Sequence, residues 1–295
     1  MLRSQTKSRT IANGAQIGLA VMLATFAQPA AAQQPERVAF PSADGHTSLV
    51  AYQFVPAAPA PRMPAVVMMH GRGGVYSSAA KGRYEAATIS QRHRMWGALW
   101  AANGYVAVLV DSFGPRGYPS GFPRFSYDSR PAEVNEVSVR PLDAYGALAW
   151  LRTRKDIAAD RIGLHGWSNG GSATLAAMAA GAGFAPPSSL KGFSAALAFY
   201  PACRLRDRFE DGYQPYAPVR VFHGTADEEV SYRRCSTLVE RSRKQGGDIA
   251  ITTYPGATHG FDDPGRARQK IPANRQAKED ATARALSFFA ERLTR

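Results

Sequence analysis

Two unbroken apolar runs constrain the fold most. Residues 65–70 read AVVMMH and residues 105–111 read YVAVLVD. Each has strand length, and neither alternates with polar residues as a strand with one wet face would. Such runs suit strands buried on both faces of a parallel sheet. Further strand patterns occur at 37–40, 48–55, 161–165, 195–200, 219–223 and 249–254. Helical patterns fall between them, at 94–103, 133–154, 169–181, 232–245 and 277–293. Pro141 lies inside the second of these, where it either kinks the helix or starts its main part. Strand and helix in alternation argue for a doubly wound α/β sheet in one domain. An apolar fraction of 45% is enough for such a core and excludes a wholly disordered chain.

The first 32 residues read as an address. Arg3, Lys7 and Arg9 give a basic start without an acid, a short apolar stretch follows at 17–27, and Ala30-Ala31-Ala32 offers an A-x-A cleavage site. The expectation is a signal peptide at 1–32 and a single domain at 33–295, secreted into an oxidising space such as a bacterial periplasm. No run of 18 or more apolar residues is present, so no transmembrane segment is expected in the mature chain. The net charge is +13, three units of it in the leader. A solvated basic surface accounts for it, and such a field also steers anionic substrates. No nucleic-acid motif accompanies the charge, so nucleic-acid binding is not expected. The oligomeric state stays open.

In a doubly wound sheet, ligands bind beyond the C-terminal ends of the strands. The residues that follow each run therefore carry the chemistry. Gly166-Trp167-Ser168-Asn169-Gly170 is G-x-S-x-G between a strand pattern and a helix pattern, the context of a nucleophile elbow. A serine hydroxyl needs a base to become nucleophilic, and the base needs a third group to fix its tautomer. His259, in GATHGF, and Asp227, in HGTADEEV, each follow a strand pattern, and the order Ser168, Asp227, His259 is the one expected for α/β-hydrolases. Glu228 and Glu229 compete with Asp227 for the acid role, and Asp262 and Asp263 follow the histidine; all four read as solvated loop charges. The oxyanion donors expected are the N–H of Asn169 and that of Gly71 or Arg72, between which the sequence does not choose. His70, His165 and His223 end strands and read as loop supports, and His46 and His93 as turn or surface residues.

The set AVVMMHGRGG, VLVDSFGPRG, RIGLHGWSNGG, AFYPAC, VFHGTADEEV and GATHGF resembles the dienelactone hydrolase family of α/β-hydrolases. The resemblance covers residues 65–293. It implies the α/β-hydrolase fold: a mostly parallel, eight-stranded sheet with helices on both faces. It implies cleavage of a small-molecule carboxylic ester or lactone without a cofactor. Three departures stand out. The founding enzymes use a cysteine where this chain has Ser168. They carry a glutamate beside the oxyanion loop, where this chain reads His70-Gly71-Arg72. They hold a substrate carboxylate with two arginines; Arg116 matches one, while the other position falls in the pair Asp262-Asp263. Arg116 is thus a candidate substrate contact or a loop anchor, and Trp167 a second candidate substrate contact.

Cys203 and Cys235 are the two cysteines. Both fall near C-terminal strand ends, and in an oxidising compartment they read as a disulfide, with two buried thiols as the alternative. No ligand set with metal spacing is present, and no metal is expected. Two other functions compete. G-W-S-x-G-G also resembles the cutinase-like polyester hydrolases, and HG…D…H resembles prolyl-oligopeptidase-like peptidases, although no propeller domain precedes it here. The third is a catalytically silent binding protein of the same fold, against which the complete set of residue types argues.

Overall fold

A computed structural model describes residues 1–2, 34–181, 192–209 and 212–294. The leader reading falls on residues 1–32, which lie outside the described residues save for the first two. Eight strands form one sheet: β1 (Glu36–Pro41), β2 (Ser48–Phe54), β3 (Met63–Met69), β4 (Val106–Asp111), β5 (Ile157–Trp167), β6 (Ala195–Phe199), β7 (Val219–Gly224) and β8 (Ile249–Tyr254). Their spatial order is β1-β2-β4-β3-β5-β6-β7-β8. β1 and β2 pair antiparallel, as do β2 and β4, and every later pair is parallel.

The helices are α1 (Gln91–Ala102), α2 (Arg140–Arg152), α3 (Asn169–Met178), α4 (Tyr232–Lys244), α5 (Arg266–Gln269) and α6 (Pro272–Leu293). The period-2 geometry of a strand explains the apolar runs. Val67 and Met69 of β3, with Val106, Val108 and Val110 of β4, face a core shared with α2, α3 and α4. Val66 and Met68 of β3, with Ala107 and Leu109 of β4, face a second core shared with α1 and α6. Both faces of the central strands are dry, so both faces are apolar.

All eight strand patterns appear. Helix boundaries differ more. α1 starts at Gln91 rather than residue 94, because the Ser90 side chain caps it by accepting from the His93 N–H. Pro141 starts α2 instead of kinking it, since a proline near N1 loses no helical hydrogen bond. α6 begins at Pro272, again with the proline at the start. Residues 157–160 extend β5 toward its N-terminus, where Ile157 pairs with Met63.

This topology places the C-terminal ends of β3, β5, β6, β7 and β8 side by side. The five segments that leave them carry Gly71 and Arg72, Ser168, Cys203, Asp227 and His259 in that order.

Candidate active site

Ser168 sits between β5 and α3 with φ 52° and ψ −118°. A non-glycine residue in that region is strained, and such strain persists where the surroundings enforce it. The surroundings here are glycines. A Cβ on Gly166 would run into Gly170 O, and one on Gly170 into Met69 O. The chain can thus reverse from strand to helix tightly enough to present Oγ. The Ser168 N–H donates to Phe199 O of β6 at 2.8 Å, which pins the elbow to its neighbour strand.

His259 and Asp227 arrive from the loops after β8 and β7. Asp227 Oδ1 accepts the N–H groups of Glu229 (2.9 Å) and Val230 (2.8 Å). Its other oxygen, Oδ2, lies 2.8 Å from His259 Nδ1. A carboxylate only accepts, so Nδ1 carries the proton and Nε2 is left as an acceptor. His259 Nε2 is 3.0 Å from Ser168 Oγ, which donates to it. The side chain of Asp227 is fully buried and that of His259 is 9% exposed, so water scarcely screens the pair. The His259 backbone N–H donates to Glu228 Oε2 at 2.9 Å, fixing the loop as well as the ring.

The loop after β3, where one oxyanion donor is expected, is braced from behind. Gly71 lies against the elbow: a Cβ there would be 3.5 Å from Ser168 Cβ. Arg72 and Asn169 line one cavity with Ser168, and Gly71 lines the cavity on the far side of Arg72. His70 Nδ1 donates to Gly71 O (2.7 Å) while Nε2 accepts the Ser112 N–H (3.2 Å). Burial, with Arg140 nearby, holds His70 well below the usual histidine range, so the ring stays neutral and keeps both bonds. Arg140, the first residue of α2, is fully buried. Its guanidinium donates to Asn169 Oδ1 and, at 2.8 Å, to His70 O. Asn169 Nδ2 in turn donates to Glu136 Oε2 at 3.1 Å. One buried cation therefore ties the loop after β3 to the start of α3 beside Ser168. Nothing in a lone Arg before a helix announces this; only the convergence of α2 on the sheet end does.

The cavity at Ser168 has a volume of about 310 Å³. Arg72, Arg130, Arg204 and Arg234 line it with Asp128 and Glu229, and Phe125, Ala202 and Val230 add apolar surface. Cys203 also lines it, joined to Cys235 of α4 by a disulfide. That bond closes 32 residues spanning Asp227, a constraint of roughly 3–4 kcal/mol on the chain-entropy model.

Several residues sit elsewhere than the sequence suggested. Arg116 is no substrate contact: its guanidinium donates to both carboxylate oxygens of Asp143 (2.9 and 2.8 Å) and to Asp44 Oδ2 (2.8 Å). It is a loop anchor, the other of its two candidate roles. Trp167 is wholly buried behind the elbow, its ring tilted against that of His165 with centroids 4.0 Å apart, and does not line the cavity. Asp262 is not solvated but buried, accepting from Trp96 Nε1 (2.8 Å) and Tyr200 OH. Glu229 is likewise taken up, by Arg72. His93 is buried at the start of α1, its Nδ1 donating to Val75 O at 3.0 Å.

A strained serine at a strand-to-helix elbow, ending the fifth strand of an eight-stranded, mostly parallel sheet, defines an α/β-hydrolase. The model of the dienelactone hydrolase family matches residues 49–293. The chain belongs to that family of carboxylic-ester hydrolases. Among solved structures it is similar to a putative dienelactone hydrolase from Klebsiella pneumoniae, with 19% identity, a TM-score of 0.63, and 86% of this chain and 99% of that one covered. It is similar to the propionate-bound esterase Est2 of Thermogutta terrifontis, at 22% identity and TM-score 0.58, covering 86% and 94%. It is also similar to a dienelactone hydrolase-like promiscuous phosphotriesterase, P91, from metagenomic libraries, at 16% identity and TM-score 0.61, covering 88% and 98%. At these identities the likeness is one of fold. Among the described residues no helix is long and apolar enough to cross a membrane.

Proposed function

We propose that the protein hydrolyses a small carboxylic ester or lactone through a covalent acyl-serine, with Ser168 as nucleophile, His259 as base and Asp227 as its orienting acid. The observation that carries this reading is the continuous chain from Ser168 Oγ to His259 Nε2 (3.0 Å) and from His259 Nδ1 to Asp227 Oδ2 (2.8 Å). Ser168 Oγ attacks the carbonyl carbon as its proton passes to Nε2, and Asp227 stabilises the imidazolium. The N–H groups of Asn169 and of Arg72 or Gly71 hold the oxyanion. His259 returns the proton to the leaving alkoxide, and water then cleaves the acyl-enzyme by the same route in reverse.

The cavity supports a small acyl group, and its four arginines against two carboxylates suit an acyl group with negative charge. The same proposal has the chain exported, which the leader-like residues 1–32 and the Cys203–Cys235 disulfide support. Ser168→Ala should lower kcat on p-nitrophenyl acetate by about 10⁴-fold or more, with the melting temperature unchanged. Wild-type turnover in a folded Ser168→Ala protein would dismiss the assignment.

A further inference from the structure

Glu229 is a carboxylate to which the steps above give no task. It follows Asp227 on the same loop and lines the cavity with Ser168. Its side chain is 8% exposed. Arg72 Nε donates to Oε2 at 2.9 Å and Arg72 Nη2 to Oε1 at 3.0 Å. Arg124 Nε reaches Oε1 at 2.8 Å. A carboxylate offers about four acceptor sites, two on each oxygen. Among the described residues, Oε1 is therefore filled and Oε2 keeps one site.

Oε2 is also the atom that stands 3.8 Å from His259 Nε2, the nitrogen facing Ser168. That gap is too long for a direct hydrogen bond and short enough for one water to touch both atoms. Burial raises the Glu229 carboxyl, but the hydrogen bond from Arg72 and the charges of His259, Arg72 and Arg124 outweigh it and bring it to about 2. At neutral pH the group is an acceptor only. The two arginines offset its charge, so it does not oppose the oxyanion forming nearby.

We propose that Glu229 holds the hydrolytic water of deacylation, an inference that rests on Ser168 being the acylated residue. The water donates one hydrogen to Glu229 Oε2 and the other to His259 Nε2. His259 takes that second proton as the water oxygen bonds to the acyl carbon. The adduct then breaks its bond to Ser168 Oγ, which recovers the proton from Nε2, and the carboxylic acid leaves. Glu229 stays ionised throughout.

Glu229→Gln keeps the size and removes the charge. On rapid mixing of the purified protein with p-nitrophenyl acetate, the initial p-nitrophenolate burst should stay within about twofold of wild type. The steady rate should fall on the order of tenfold to a hundredfold, the scale of a misplaced reactant. Acetyl-Ser168 should accumulate in the intact-protein mass spectrum, and hydroxylamine, a stronger nucleophile than water, should recover most of the turnover. Equal losses in burst and steady rate, without accumulated acyl-enzyme, overturn the role. A wild-type protein whose Ser168 takes no label from a fluorophosphonate overturns the nucleophile assignment itself, a separate result. If melting shows that Glu229→Gln does not fold, Glu229→Asp replaces it: a steady rate lost more than the burst supports the role, and equal losses overturn it.

Discussion

The two sides of Ser168 are built from different chemistry. Behind it lie Trp96, Trp100, His165, Trp167 and Phe199, all fully buried. Trp96 meets His165 at 4.7 Å and Phe199 at 5.3 Å between ring centroids, and burial, with His93 nearby, keeps His165 well below the usual histidine range. In front lie paired charges, on loops and on α5: Glu229 with Arg72 and Arg124, and Glu228 with Arg124 and Arg268. The rear fixes the elbow by close packing, which tolerates no rearrangement without loss of contact. The front holds the His259 loop, the loop after β3 and the cavity wall by paired charges that water partly reaches. Close packing thus secures one side of the elbow and ion pairs the other.

Trp96→Ala strikes the rear and should have the largest effect on stability, about 3–5 kcal/mol in urea unfolding. A cost below about 1 kcal/mol would mean that the aromatic layer is not the platform.

A pH series separates the buried histidines from the carboxylate in front. His70, His93, His165 and His223 all sit below the usual histidine value through burial, His93 at about 4. The unfolded chain takes these protons near pH 6.5 and the folded one does not. Their contribution is complete above about pH 6.5 and is lost as pH falls, for His93 down to about 4. The Glu229 carboxylate is also depressed, to about 2, so its contribution is complete above about 4.5 and is lost only as pH falls from there. Urea midpoints should therefore drop between pH 7 and pH 5 because of the buried histidines and not because of Glu229. A midpoint that holds or rises over that interval would contradict neutral buried histidines.

Arg124→Ala should have the smallest effect. Its side chain is 43% exposed, and exposed ion pairs contribute about 0–1 kcal/mol. Urea unfolding should move by less than that, and a larger loss would show that the front carries fold stability as well.

The strands and the three side chains that meet at their ends were legible because each announces itself locally. The central strands β3 and β4 are apolar almost throughout, and Ser168, Asp227 and His259 each follow a strand within a few residues. Burial of charge was not legible. Glu229 and Asp262 read as solvated loop charges because a charge in sequence is solvated by default, Arg116 as a substrate contact or a loop anchor, and Arg140 only as one residue of a helical pattern. Their partners come from distant segments: Trp96 for Asp262, Asp44 and Asp143 for Arg116, His70 and Asn169 for Arg140. His93 escaped for a related reason, since its carbonyl partner Val75 lies in a loop whose path no periodicity records.

In the proposed mechanism one hydroxyl, activated by two side chains distant in sequence, performs the chemistry. Peptide mapping after treatment with a fluorophosphonate probe is its sharpest test. A single adduct on Ser168 is expected in the wild-type protein, lost in folded His259→Ala. An adduct on another residue, or undiminished labelling of Ser168 without the imidazole, would contradict it.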